Sequence, residues 1–175
     1  MEPRILICAI PDEVRGLRGI NINFSGVGKI NAAWTTHKVI TQFHPKLIIN
    51  YGTAGTLKKS LRGLVRVTGF VDRDMDATPL GFELGQTPFE PGVLIGKPGL
   101  ICGSGDTFAT KKPRIGCDIV DMEAYAIAKI CKEYNVDFRC YKYVTDGVNI
   151  NSPEDWQKNL QNGCKEFERD VLNTL

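Results

Sequence analysis

Histidine is almost missing from this 175-residue chain: only His37 and His44 occur, the second beside Pro45. So small a supply gives poor support to a histidine-rich metal centre or a Ser-His-Asp triad. Paired cysteines are missing too. Cys8, Cys102, Cys117, Cys131, Cys140 and Cys164 lie far apart, mostly in apolar strand-like runs, and none forms a Cys-x-x-Cys pair. Reduced, buried thiols in a cytoplasmic protein are therefore expected, rather than a disulfide framework. The N-terminal apolar run is short and meets polar residues at once, so neither a signal peptide nor a membrane span is expected. Charge is scarce as well, since a net +2 is too small to be an electrostatic footprint for nucleic acid. No repeat or low-complexity segment interrupts the chain, and no metal or cofactor is expected.

What is present fits one domain over residues 1–175, with 42% hydrophobic residues and a length that buries roughly 70% of the unfolded surface. Buried strand-like runs alternate with helical stripes. This predicts a three-layer α/β/α domain around a mixed, mostly parallel twisted sheet. Strands are expected at 4–10, 20–24, 46–51, 64–72, 116–120 and 138–146, with strand and loop over 100–108. A helix is expected over 29–43, with Ile30, Ala33, Trp34, His37, Ile40 and Phe43 on its inner face. Asp121, Met122 and Glu123 open a second helix through Glu133. A last helix is expected to begin at Ser152 as N-cap with Pro153 at its first position, and to carry a core stripe of Trp156, Leu160, Cys164, Phe167 and Val171.

Carboxylates at the C-terminal ends of strands mark the edge where α/β sheets bind ligands, which singles out Glu123 and Asp146. Glu13, in Pro11-Asp12-Glu13-Val14 after the first strand, reads equally well as a solvated turn acid. Ser25-Gly-Val-Gly-Lys-Ile-Asn31 matches a phosphate-binding loop only weakly, and Ser104 lacks the setting of a nucleophile elbow. Gly52-Thr53-Ala54-Gly55-Thr56 is expected to break the third strand and bring backbone amides to a ligand, or to be a plain turn. The Pro- and Gly-rich stretch 73–99 is long enough to be functional or an interface. The run Lys111-Lys112-Pro113-Arg114 reads as a solvated run, with contact to a phosphate as the alternative.

Taken in order, residues 25–33, 48–55, 81–86, 99–108, 120–128 and 144–146 resemble the purine nucleoside phosphorylase and nucleosidase superfamily, and most closely its 5′-methylthioadenosine/S-adenosylhomocysteine nucleosidases. The resemblance implies a nucleoside phosphorylase-like fold and hydrolysis of a purine N-glycosidic bond by water. Carried over, it makes Asp146 the general acid at purine N7, with Thr145 supporting it. Glu123 would accept from the ribose hydroxyls over Met122. Phe108 would stack on the base, Ala109 would read its edge, and Ile10 would line the pocket. Glu13 would activate water, with Thr53 nearby. Asn50 and Glu13 stand where phosphorylases of the family place an arginine and a glycine-rich phosphate loop, which favours water over phosphate.

A phosphorylase and a truncated, non-catalytic nucleoside binder are the alternatives. Lys142 stands where the nucleosidases carry arginine, and the hairpin expected between Glu13 and Ser25 is reduced. A homodimer is expected, with residues 74–86 near the contact.

Overall fold

In a computed structural model, residues 4–174 are described; Met1 to Pro3, the start of the N-terminal run, and Leu175 lie outside them. The strands are β1 (Arg4–Cys8), β2 (Asn21–Phe24), β3 (Leu47–Thr56), β4 (Gly63–Val67), β5 (Gly69–Asp72), β6 (Ile95–Gly96), β7 (Ile101–Ser104), β8 (Ile119–Asp121) and β9 (Asp137–Asp146). The helices are α1 (Lys29–Phe43), α2 (Ala124–Glu133), α3 (Ser152–Asn159) and α4 (Cys164–Asp170). All nine strands join one sheet. β1 pairs parallel with β2 and β3, β3 with β9, and β7 with β5 and β8. The β3–β8, β4–β9 and β5–β6 pairs are antiparallel, so the sheet is mixed and mostly parallel.

Alternation along the central strands explains the layers. Ile5, Ile7 and Ile48 pack with Ala32, Val39 and Ile40 of α1 and Ile127 and Cys131 of α2. Leu6, Cys8, Ile49 and Tyr51 point the other way, onto Cys164, Phe167 and Val171 at the C-terminal end of the chain. Phe167 stacks on Tyr51 with ring centres 4.3 Å apart. Among the described residues, no helix is long and apolar enough to cross a membrane.

Several expected elements differ, each for a local reason. β3 runs on through its glycines to Thr56, because they keep pairing with β9, across a register shift between Ala54 and Gly55, instead of turning away. The single strand expected over 64–72 divides at Thr68, whose amide and that of Gly69 both bond to Leu100 O, so β4 goes to β9 and β5 to β7. β1 ends at Cys8, short of Ile10. α1 buries Ala32, Thr35, Thr36, Val39 and Ile40, while Ile30 and Trp34 are 83% and 60% exposed. The buried Thr36 hydroxyl is satisfied by Ala32 O at 2.7 Å, which lets a polar stripe face the core. His37 lies at the boundary, stacked beside Trp34 and bonded through Nδ1 to Tyr134 Oη at 2.8 Å.

The last helix is two helices. The helix is interrupted between Asn159 and Cys164, and Gly163, just before the second helix, sits against the Tyr143 ring, where a Cβ would approach to 2.3 Å. Ser152 is not the cap; Asn151 holds that position, and Ser152 Oγ accepts from the Asn149 amide at 2.7 Å.

One buried ion pair spans the central strand. Lys142 on β9 lies beside Gly52 of β3 in register and reaches Asp121 of β8, Nζ to Oδ2 2.7 Å, with both side chains 1% exposed. Lys142→Met would leave the Asp121 charge buried and unpaired. Urea unfolding of that variant is expected to lose about 3–5 kcal/mol; a loss below about 1 kcal/mol would remove the pair from the fold's framework.

Candidate active site

The pocket opens where the edge of β3 changes partner. β1 pairs with residues 47–50 of β3, whereas β8 takes up the same strand at Gly55 and Thr56. Between the end of β1 and the end of β8 lies a crevice at a topological switch point. It has a cavity volume of about 140 Å³. Its walls include Ile10 and Glu13 after β1, Thr53 on β3, Phe108 and Ala109 after β7, Met122 and Glu123 after β8, and Asp146 at the end of β9. Eight of the nine candidate residues are thus together; the ninth, Thr145, lies behind Asp146.

Pro11 to Val14 form a single 3-10 turn that folds Glu13 inward, and Glu13 is 4% exposed, which excludes the solvated-turn reading. Its neighbour Asp12 takes the solvent side and pairs with Arg15. Glu13 Oε1 accepts from the Thr53 amide at 2.8 Å and from the Thr53 hydroxyl at 2.9 Å. Oε2 has no partner. Burial pushes the Glu13 carboxyl above its usual range, opposed by the Lys142 charge, the two Thr53 donors and a lesser influence of the Ile10 backbone. Gly52 makes room for this approach, since a Cβ there would lie 3.2 Å from Glu13 Oε1 and 3.3 Å from Lys142 Nζ.

Glu123 precedes α2 and accepts from the Gly28 amide at 2.9 Å. Burial, then the nearby Asp121 charge, push it up to about 7. Asp121 is held low by Lys142 and by hydrogen bonds from Lys142, Ser104 and Ala124, against its burial. Ser104 donates to Asp121 Oδ1 at 2.5 Å and accepts the Tyr125 amide at 2.8 Å, so this serine fixes the start of α2.

Asp146 Oδ1 accepts from the Thr145 hydroxyl at 2.9 Å, and Oδ2 from the Val148 amide at 3.2 Å. Gly55 is required beside it, because a Cβ would come within 2.8 Å of Oδ2. Phe108 is 41% exposed at the mouth and meets Trp156 edge-on, ring centres 6.1 Å apart.

Sequence reasoning missed Trp156 and Arg73, both of which line the pocket. Trp156 donates from Nε1 to Thr53 Oγ1 at 2.9 Å, so its place in an apolar stripe concealed a polar contact. Arg73 follows the C-terminal end of β5, and the edge rule used for Glu123 and Asp146 would have found it. Its guanidinium holds Gly105 O and Thr107, which shapes the loop carrying Phe108.

A sequence model of the phosphorylase superfamily matches residues 17–102 and 86–173. Curated proteins of Staphylococcus aureus named 5′-methylthioadenosine/S-adenosylhomocysteine nucleosidase are 37% identical over 161 residues, covering 75% of this chain and 70% of theirs. A Helicobacter pylori nucleosidase of that name, solved with 5′-methylthioadenosine in its active site, superposes with a TM-score of 0.88 at 19% identity over 100% of both chains. The futalosine hydrolase of Helicobacter pylori superposes at 0.89 and 19% identity over 99% of each. These two likenesses show the fold.

The raised Glu123 carboxyl gives a stability signature. Its protonated form is favoured in the fold, so its contribution is complete below the usual 4.5 and is lost as pH rises through about 7. Wild-type stability is expected to fall by about 3 kcal/mol more than that of Glu123→Gln across this window, from 1.36 kcal/mol per unit. Parallel curves in pH-dependent urea unfolding would contradict it.

Proposed function

The chain belongs to the phosphorylase superfamily, and we propose that it hydrolyses the N-glycosidic bond of a purine nucleoside carrying a 5′ substituent, with adenine as the base. The observation that carries this reading is the pairing, in one pocket, of Asp146 at the end of β9 with a buried Glu13, one oxygen of which has no hydrogen-bond partner. Cleavage needs a proton on the departing base and a polarised water on the other face of the sugar, the two-carboxylate logic of inverting glycosidases. Asp146, steadied by the Thr145 hydroxyl, protonates N7. Glu13 takes a proton from water. Glu123 accepts from the ribose 2′- and 3′-hydroxyls over Met122, a task that needs the carboxylate and so improves as pH passes about 7. Phe108 stacks on the base, the Ala109 backbone reads its edge, and Ile10 closes the wall.

Water is favoured over phosphate because the position three residues before Thr53, which a phosphate would need to be cationic, holds Asn50. That residue is buried and committed, donating to Ile7 O at 2.9 Å and accepting from Cys140 Sγ at 3.4 Å. A carboxylate at Glu13 repels phosphate further.

The test is incubation with 5′-methylthioadenosine, with and without phosphate, and analysis of both products. Free adenine with free sugar is expected in each case; sugar 1-phosphate would mean that the reaction is phosphorolysis. Asp146→Asn keeps the shape but cannot donate, so its barrier is expected to rise by about 3–5 kcal/mol while ligand binding persists. Near-normal turnover would take Asp146 out of the mechanism.

The protein is further proposed to act as a homodimer in the cytoplasm. Six free cysteines suit a reducing compartment. Exposed Leu80 and Phe89, with Val27, Ile30 and Trp34 near the start of α1, give apolar surface for a second copy around residues 74–86. Light scattering is expected to give twice the chain mass; a monomer at all working concentrations would end this assignment.

A further inference from the structure

We propose that Trp156 is a positioning residue for Glu13: through the Thr53 hydroxyl, its indole N–H fixes which carboxylate oxygen of Glu13 is left free to take the proton from water. This rests on the role of Glu13 proposed above and adds a residue from α3 to the reaction.

The inference follows from donor bookkeeping along three side chains. An indole Nε1 can only donate, so at 2.9 Å from Thr53 Oγ1 it uses a lone pair of that hydroxyl. The hydroxyl has a single proton, and its other close polar neighbour is Glu13 Oε1, at 2.9 Å. With Glu13 ionised, that proton goes to Oε1. The Thr53 amide supplies a second hydrogen bond to the same atom at 2.8 Å. Oε1 is therefore held by two donors from one residue, and its basicity is spent. Oε2 is buried and receives none, so its lone pairs are the ones not spent on a donor. Without the indole, the Thr53 hydroxyl is free to rotate, and the distinction between the two oxygens rests on the amide alone.

The other groups facing Glu13 do not make this distinction. Lys142 on β9 acts on it through charge, while Cys8 on β1, Tyr51 on β3 and Glu123 across the pocket are themselves raised in part by its charge. Trp156 carries no charge, so replacing it leaves those influences in place. Its ring also stays useful when the N–H is removed, because Phe108 meets the ring itself.

Trp156→Phe keeps an aromatic wall and deletes only the donor. On 5′-methylthioadenosine, kcat is expected to fall about tenfold with KM changed less than about twofold, the size of one lost hydrogen bond to a charged network. A carboxylate that loses a donor becomes harder to ionise, so the acid limb of the kcat/KM profile is expected to move up by about half a pH unit or more. Thr53→Val removes the same link from the other end. The double variant is expected to be no slower than Thr53→Val alone, because both changes cut one chain.

Glu13→Gln separates the two levels of the argument. If it is inactive while Trp156→Phe keeps wild-type kcat and acid limb, the Trp156 link is overturned and the role of Glu13 stands. Fully additive losses in Trp156→Phe/Thr53→Val also overturn the link, since they make the ring a packing residue. If Glu13→Gln turns over normally, both fall.

Discussion

The ion pair between Lys142 and Asp121 is the constraint on which the site depends. Lys142 arises from one neighbour of β3 and Asp121 from the strand on the opposite edge, and the amine crosses the strand at Gly52, where there is no side chain to obstruct it. A buried pair of this kind contributes little net stability against an apolar alternative, but breaking it strands a charge. Its value here is positional. Asp121 also holds Ser104 and the first amide of α2, so the same carboxylate that neutralises Lys142 sets where Glu123 stands.

The glycines of β3 serve the same end in a different way. A strand that merely connected two helices would gain from β-branched residues at 52 and 55, which resist the entropy cost of glycine. At Gly52, however, a Cβ would crowd Glu13 and Lys142, and at Gly55 it would press on Asp146 and Val148. The strand therefore gives up side chains at the two points where the Glu13 and Asp146 carboxylates approach its backbone. Thr53, between them, supplies the two donors to Glu13. Strand, pocket floor and acid positioning are one feature.

Sequence patterns carried the architecture further than the faces of individual elements. α1 was legible to its residue bounds, because the turn at Gly26 and Gly28 and the apolar residues that follow mark its start clearly. Its inner face was not, because the outward residues Ile30 and Trp34 are more apolar than the inward Thr35 and Thr36, and periodicity weighs hydrophobicity and not hydrogen bonds made within the helix. The ends of β8 and β9 were legible for a topological reason, since carboxylates at the C-terminal edge of a sheet have few other uses. The burial of Glu13 was not, because it depends on a single 3-10 turn and on an amide 40 residues away. Trp156 was hidden by the stripe it shares with Phe167, although the break between Asn159 and Cys164 separates the two and sends one to the pocket and the other to the core.

The electrostatics of the pocket then bear on the chemistry. Glu13, Asp121, Glu123 and Asp146 line it, and Lys142 beneath them is committed to Asp121. Burial of these carboxyls raises the cost of each negative charge, and at Glu123 the nearby Asp121 charge adds to it, which is why Glu123 is pushed to about 7 and Glu13 above its usual range. An incoming phosphate dianion would add to that cost, whereas a neutral water would not. A sugar passing through an oxocarbenium-like state would relieve it, because positive charge develops between acids that the fold has already desolvated. On the reaction proposed above, the cost of holding these carboxyls together falls as the glycosidic bond breaks, which is the condition for stabilising a transition state more than its substrate.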